Sequence, residues 1–226
     1  MTNHPKTTTT RNRVLLVEDH VLVRQGIAEL LNQEPDFLVC GDAEDASTAL
    51  DAVAELKPDV VLVDISLKES NGLELIKILK SRYPKLPVLV VTMHDEALYA
   101  ELALRAGALG YIMKEEGIDK VLTGLRRVLS GAFYLSESVA SRLLQQQIRG
   151  KYGPSTSPID RLSERELEVF QLIGQWQGTS QIANQFHLSV KTVEYYREQI
   201  KEKLNLKNAS ELVRYASQWM QRDKHL

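Results

Sequence analysis

Short runs of consecutive apolar residues punctuate the first half of the chain: Val14 to Val17, Phe37 to Gly41, Val60 to Val63, Val88 to Val91 and Gly110 to Met113. They show almost no internal polar alternation, which is the pattern of strands covered on both faces in a parallel sheet. The segments between them have helical spacing. Val23, Ile27, Leu30 and Leu31 form one stripe, and Val121, Leu122, Leu125, Val128 and Leu129 form another. Pro58 and Pro84 each follow a helical pattern and stop it, and Gly107 stands where a helix C-cap belongs. Five strands alternating with five helices over about 120 residues predict a doubly wound α/β domain with a five-stranded parallel sheet.

The pattern changes after Gly131. "LSESVASRLLQQQIRG" reads as one connecting helix, and "GKYGPSTSP" as a linker with nothing to bury. From Arg161 onward the periodicity is helical throughout. Ser163 and Glu166 have capping-box spacing, and Leu167, Phe170 and Ile173 give the helix that follows an apolar face. A short second helix lies around residues 180–186. A third is capped by Ser189, and a fourth covers about residues 210–220. Four short helices with a tight turn between the second and third suggest a helix-turn-helix unit in a small all-α domain. The boundaries expected are 12–132 for the α/β domain, 133–160 for a linker with a helix, and 161–226 for the helical domain.

Charge narrows this little: a formal net charge of -2 argues neither for nor against nucleic acid, because a small basic surface can hide in it. The single cysteine, Cys40, excludes an intrachain disulfide and fits a reduced, intracellular protein. "MTNHPKTTTTRNR" has no apolar core and reads as a disordered leader of about ten residues rather than a secretory signal. No stretch approaches a membrane span. The expectation is a cytoplasmic protein with no membrane partner.

In a doubly wound sheet, ligands bind outside the carboxyl ends of the strands. The residues there are Glu18 and Asp19 after the first strand, Asp64 after the third, Thr92 at the fourth and Lys114 after the fifth. Alone, each has an ordinary explanation: a loop or cap carboxylate, a strand-end threonine, a solvated lysine. Their joint placement on one rim points to chemistry. Three crowded carboxylates raise one another's pKa unless a cation holds them. Mg²⁺ suits carboxylate and carbonyl oxygens. Lys114 and Thr92 add a positive charge and a hydroxyl, a set fitted to phosphoryl transfer.

"LLVEDH", "LVDISLKESNG", "VVTMHDE" and "GYIMKE" resemble, in order and spacing, the flavodoxin-like receiver domain of bacterial two-component response regulators. The resemblance implies that Asp64 is the phosphoacceptor, receiving a phosphoryl group from a sensor histidine kinase. Glu18 and Asp19 would hold Mg²⁺ with Asp64 and the backbone carbonyl of Ser66. Thr92 and Lys114 would contact the phosphoryl oxygens, and Ser66 and His94 would flank them. Tyr111 matches the family's switch aromatic, which turns inward as the threonine moves; a strand tyrosine with its hydroxyl in solvent is the alternative. One position departs from the family: Lys68 stands where a proline is common.

Residues 161–217 resemble the four-helix DNA-binding domain of the NarL/LuxR class, anchored on Leu162-Ser163 with Glu166, Ile182-Ala183, Ser189 with Lys191-Thr192-Val193, and Lys203-Leu204. In the third helix Val193, Ile200 and Leu204 must face the core. Lys191, Thr192, Arg197, Lys201 and Lys203 are then phosphate candidates, and Glu194, Tyr195 and Glu198 base-reading candidates. Glu198 is equally a solvated glutamate paired with Lys201. Trp176 stands where a small residue is common, Gln181 where glutamate is usual, and Tyr196 where a histidine is frequent. The resemblance makes the fourth helix, with Leu212, Val213, Tyr215, Ala216 and Trp219, a dimer surface on DNA; covering its own domain's core is the competing explanation.

The resulting expectation is a DNA-binding transcription regulator, switched by phosphorylation of Asp64 and pairing as a homodimer on promoter DNA. Its only catalysis would be its own phosphotransfer and dephosphorylation. Two alternatives come from other classes. One is a receiver-like protein acting unphosphorylated through protein contacts. The other is a Mg²⁺-dependent phosphatase, disfavoured because Ser66 stands where such enzymes place their general acid.

Overall fold

The computed structural model describes residues 11–68, 70–148, 158–186 and 188–223; the expected leader and the Gly/Pro/Ser/Thr linker lie outside the described residues. The chain divides into two compact units between Gln145 and Gln146. In the first, β1 (Asn12–Val17), β2 (Phe37–Ala43), β3 (Val60–Val63), β4 (Val88–Thr92) and β5 (Gly110–Met113) form a parallel sheet in the order β2-β1-β3-β4-β5. Helices α1 (Val21–Gln33), α2 (Ala46–Leu56), α3 (Gly72–Arg82), α4 (Glu96–Ala106) and α5 (Ile118–Leu129) connect and follow the strands.

The unbroken apolar runs have a simple cause. Because successive strand residues face opposite sides, each run feeds two cores at once. Leu15, Val17, Val61, Val63, Val88 and Val90 pack with Leu75, Ile76, Leu79 and Tyr99 of α3 and α4. Their neighbours Val14, Leu16, Val60, Leu62, Leu89 and Val91 pack with Leu31 of α1 and with Val121, Leu125 and Val128 of α5. In α1, however, Leu30 is 41% exposed, and the helix packs on this core through Leu31, Ile27 and Ala28. Gly107 caps α4 in the left-handed region (φ 113), its N–H donating to the carbonyls of Ala103 and Leu104. Strand order reverses between β1 and β3, which directs ligand chemistry to the carboxyl ends of those strands.

Past α5, Tyr134 adds a bridge beside Gly110 at the sheet edge, and α6 (Glu137–Ile148) follows. Val139 of α6 is buried in the same core as Tyr99 and Tyr111, and Ser138 Oγ donates to Glu96 Oε1 at 2.6 Å. The second unit consists of α7 (Glu164–Gly174), α8 (Thr179–Gln185), α9 (Val190–Leu204) and α10 (Ala209–Asp223). The capping box forms as the spacing predicts: Glu166 N donates to Ser163 Oγ, and Ser163 N to Glu166 Oε2. Ser189 Oγ likewise accepts from Thr192 N at the head of α9.

Candidate functional site

The tip of β3 delivers Asp64 into the rim, and the chain then folds back in a short antiparallel ladder, Ser66–Leu67 against Ser70–Asn71, before α3 starts. Gly72 makes that reversal possible, because a Cβ there would lie 2.1 Å from the Asp64 carbonyl oxygen. The loop is tied to the end of β2: Ala46 N donates to Ser70 Oγ, and Lys68 Nζ lies 3.2 Å from Glu44 Oε1. A cross-loop ion pair therefore occupies the position where a proline was expected.

Asp64 is 3% exposed and Glu18 1%. Lys114, reaching over from the end of β5, places its Nζ 2.6 Å from Asp64 Oδ2 and 2.6 Å from Glu18 Oε2. Burial works against the ammonium, but the two carboxylates outweigh it and hold the Lys114 pKa above the ordinary lysine value. Asp19 sits beside Glu18, and one ammonium cannot neutralise three carboxylates. Glu18 Oε2 and Asp19 Oδ1 are shielded from solvent and make no hydrogen bond of good geometry. Their short contacts are with Lys114 Nζ at 2.6 Å and with His20 Nδ1 at 2.7 Å. Hard, charge-rich and under-bonded oxygens of this kind fit a divalent cation such as Mg²⁺.

Thr92, fully buried at the end of β4, accepts a 3.4 Å bond from His94 N through its hydroxyl. His94 Nε2 and Ser66 Oγ are hydrogen-bonded at 2.8 Å, so the residues two beyond Asp64 and two beyond Thr92 meet across the rim. Tyr111 points inward: it is 2% exposed and its hydroxyl donates to the His94 carbonyl at 2.9 Å. That removes the alternative of a hydroxyl in solvent. Burial, reinforced by Tyr99, Asp95 and Asp64, pushes its phenol pKa up, so it stays a donor.

Sequence reasoning missed His20. It occupies the N-cap of α1 but makes no side-chain cap bond there; its Nδ1 lies instead against Glu18 Oε1 and Asp19 Oδ1. Only its place next to the acidic pair could have flagged it.

In the second unit, Val193, Ile200 and Leu204 of α9 are buried, and Lys191, Glu194, Tyr195 and Glu198 are exposed together on the other side. Thr192 and Arg197 are half-buried, and burial lowers the Arg197 pKa. Lys201 Nζ lies 2.9 Å from Glu198, the pairing weighed against a base contact. Lys203 Nζ lies 2.6 Å from Glu166 Oε2, so this candidate phosphate contact has an internal partner that locks α9 to the cap of α7. Most of the apolar side of α10 covers its own domain: Leu212 and Ala216 are buried, and Tyr215 and Trp219 pack on Phe170 with ring centroids 6.1 and 5.7 Å away. Val213 remains beside Trp176, which is 74% exposed, in a groove completed by Ser210, Arg214 and Gln218.

Residues 14–126 match the family described as response regulator receiver domain, and residues 160–216 match bacterial regulatory proteins, luxR family. The chain is 35% identical over 208 residues to the oxygen regulatory protein NreC of Staphylococcus haemolyticus, covering 90% of this chain and 96% of that protein. It is 31% identical over 214 residues to the transcriptional regulatory protein DegU of Brevibacillus brevis, covering 89% of this chain and 91% of that one. Among solved structures, it resembles RcsB of Salmonella enterica serovar Typhimurium bound to promoter DNA in the presence of phosphomimetic BeF3⁻. That likeness has a TM-score of 0.56 at 27% identity and covers 91% of this chain and 98% of that one.

Proposed function

This chain belongs to the bacterial response regulators that join a receiver domain to a LuxR-type DNA-binding domain, and on that premise we propose that Asp64 is the residue through which phosphorylation switches it. It is a DNA-binding transcription regulator of the two-component class. One observation carries the Asp64 reading: two buried carboxylates at adjacent strand ends share a single lysine ammonium.

Asp64 Oδ attacks the phosphorus of a phosphohistidine on a sensor kinase; the P–O bond forms as the P–N bond breaks, and the imidazole leaves with the electron pair. Glu18, Asp19, Asp64 and the Ser66 carbonyl would hold Mg²⁺, which would supply positive charge to the phosphoryl oxygens. Lys114 follows the charge: its Nζ, already 2.6 Å from Asp64, transfers its contact to a phosphoryl oxygen. The Thr92 hydroxyl binds a second oxygen. Because His94 N rests on Thr92 and Tyr111 on the His94 carbonyl, movement of the threonine is felt at α4 and β5.

On DNA, α9 lies in the major groove. Lys191, Thr192, Arg197 and Lys201 serve the phosphates while Lys203 stays with Glu166, and Glu194, Tyr195 and Glu198 face base edges. Two copies pair through the Trp176–Val213 groove, so that two weakly charged modules bind where one would bind poorly. The protein works in the cytoplasm, within reach of both kinase and promoter. The test is labelling of the full chain by a radiolabelled acyl phosphate with Mg²⁺: wild type takes up label and Asp64→Asn does not. Equal labelling of both proteins would overturn the assignment.

A further inference from the structure

The carboxylate rim contains one donor that a Mg²⁺ site does not call for. His20 Nδ1 lies 2.7 Å from Asp19 Oδ1 and 3.2 Å from Glu18 Oε1, and the ligand atoms of all three residues fall within 4.8 Å of one another. The ring is not there to cap α1, since the N-cap position it occupies has no side-chain cap bond. Nor is it driven there by burial, because its side chain is 68% exposed. The backbone below it is held from both sides. Arg24 Nη1 donates to the Glu18 carbonyl at 2.5 Å, Arg24 Nε lies 2.7 Å from Asp42 Oδ2, and His20 N donates to Glu18 Oε1 at 3.1 Å. An exposed imidazole fixed against two carboxylates presents a mixed nitrogen and oxygen face. Mg²⁺ prefers oxygen, whereas first-row divalent transition ions gain from imidazole.

We propose that His20 is a nitrogen ligand of the receiver's cation site, so that the site takes a divalent transition ion such as Mn²⁺ or Co²⁺ in preference to Mg²⁺. The proposal rests on the reading that Glu18 and Asp19 hold a cation. The ion replaces the His20–Asp19 contact with bonds to both residues, and oxygen ligation by the carboxylates is unchanged. Selectivity, and not the existence of the site, is what His20 adds.

The test uses the full chain with Mn²⁺, Co²⁺ and Mg²⁺, comparing wild type with His20→Ala and Asp19→Asn. Pulsed electron paramagnetic resonance of the Mn²⁺ complex should show coupling to a ¹⁴N nucleus in wild type and none in His20→Ala. Calorimetry should find Co²⁺ binding weakened about tenfold or more in His20→Ala, while Mg²⁺ binding changes less than about threefold. In Asp19→Asn all three ions should bind more weakly, which ties the nitrogen signal to the carboxylate site. Absence of nitrogen coupling in wild type, its survival in His20→Ala, or equal losses of Co²⁺ and Mg²⁺ affinity would each overturn the role of His20 and leave the cation site standing. Failure of every ion to bind wild type would overturn the cation site itself.

Discussion

Lys114 shows how much one side chain can carry. It is the shared counterion of two buried carboxylates, and removing it leaves both without compensation. We expect Lys114→Met, in chelating buffer at neutral pH, to unfold at lower urea by roughly 3 kcal/mol. The pH dependence follows from the raised pKa. A lysine whose pKa rises on folding contributes stability that is complete below its ordinary value and is lost as pH climbs through the raised one. The gap between wild type and Lys114→Met should therefore stay constant up to about pH 10 and close above it, which urea titrations across that range will measure. The sequence made Glu18, Asp64, Thr92 and Lys114 legible because strand ends are fixed by the apolar runs. It did not make His20 legible, because the direction of an exposed side chain is a rotamer choice with no periodic trace. It left Tyr111 open for a similar reason: inward and outward tyrosines occupy the same strand position.

Among the elements, α7 and α9 are joined by a contact that no helical pattern reveals. Lys203 and Glu166 are 37 positions apart, and their ion pair sits on top of a cap the sequence did predict. Glu166 is held below the usual carboxylate range: burial opposes this, but Lys203 and the Ser163 amide outweigh it. A depressed pKa contributes stability above the unfolded value and loses it as pH falls through the folded one. Glu166→Gln should thus cost about 1 kcal/mol at pH 7, and the difference should shrink between about pH 5 and pH 3. Thermal melts at those pH values test it; a gap independent of pH would mean that the charge is irrelevant to the cap. The α1 stripe was legible only in part, because Leu30 belongs to the periodic stripe yet is left 41% exposed. In α10, two of the residues read as surplus apolar surface, Tyr215 and Trp219, pack on Phe170 of α7, which a pattern confined to one helix cannot show.

At the scale of the whole molecule, two units with separate cores can fail separately. Phe170 of α7 is fully buried against α10, and Phe170→Ala should cost its unit about 3–5 kcal/mol. Promoter binding should be lost while acyl phosphate still labels Asp64 at close to the wild-type rate, a contrast read by mobility shift and labelling on one preparation. The loop that follows Asp64 has a consequence of another kind. A proline would stiffen it through covalent geometry, which is indifferent to the medium. Here Lys68 and Glu44 bind it by charge between exposed groups, and such attraction is screened as electrolyte accumulates, over a Debye length of about 8 Å in physiological salt. The labelling rate of wild type should therefore drift with sodium chloride, and that of Lys68→Pro should drift less. Ionic strength, quite apart from any kinase, would then leave a mark on how readily this regulator can be written.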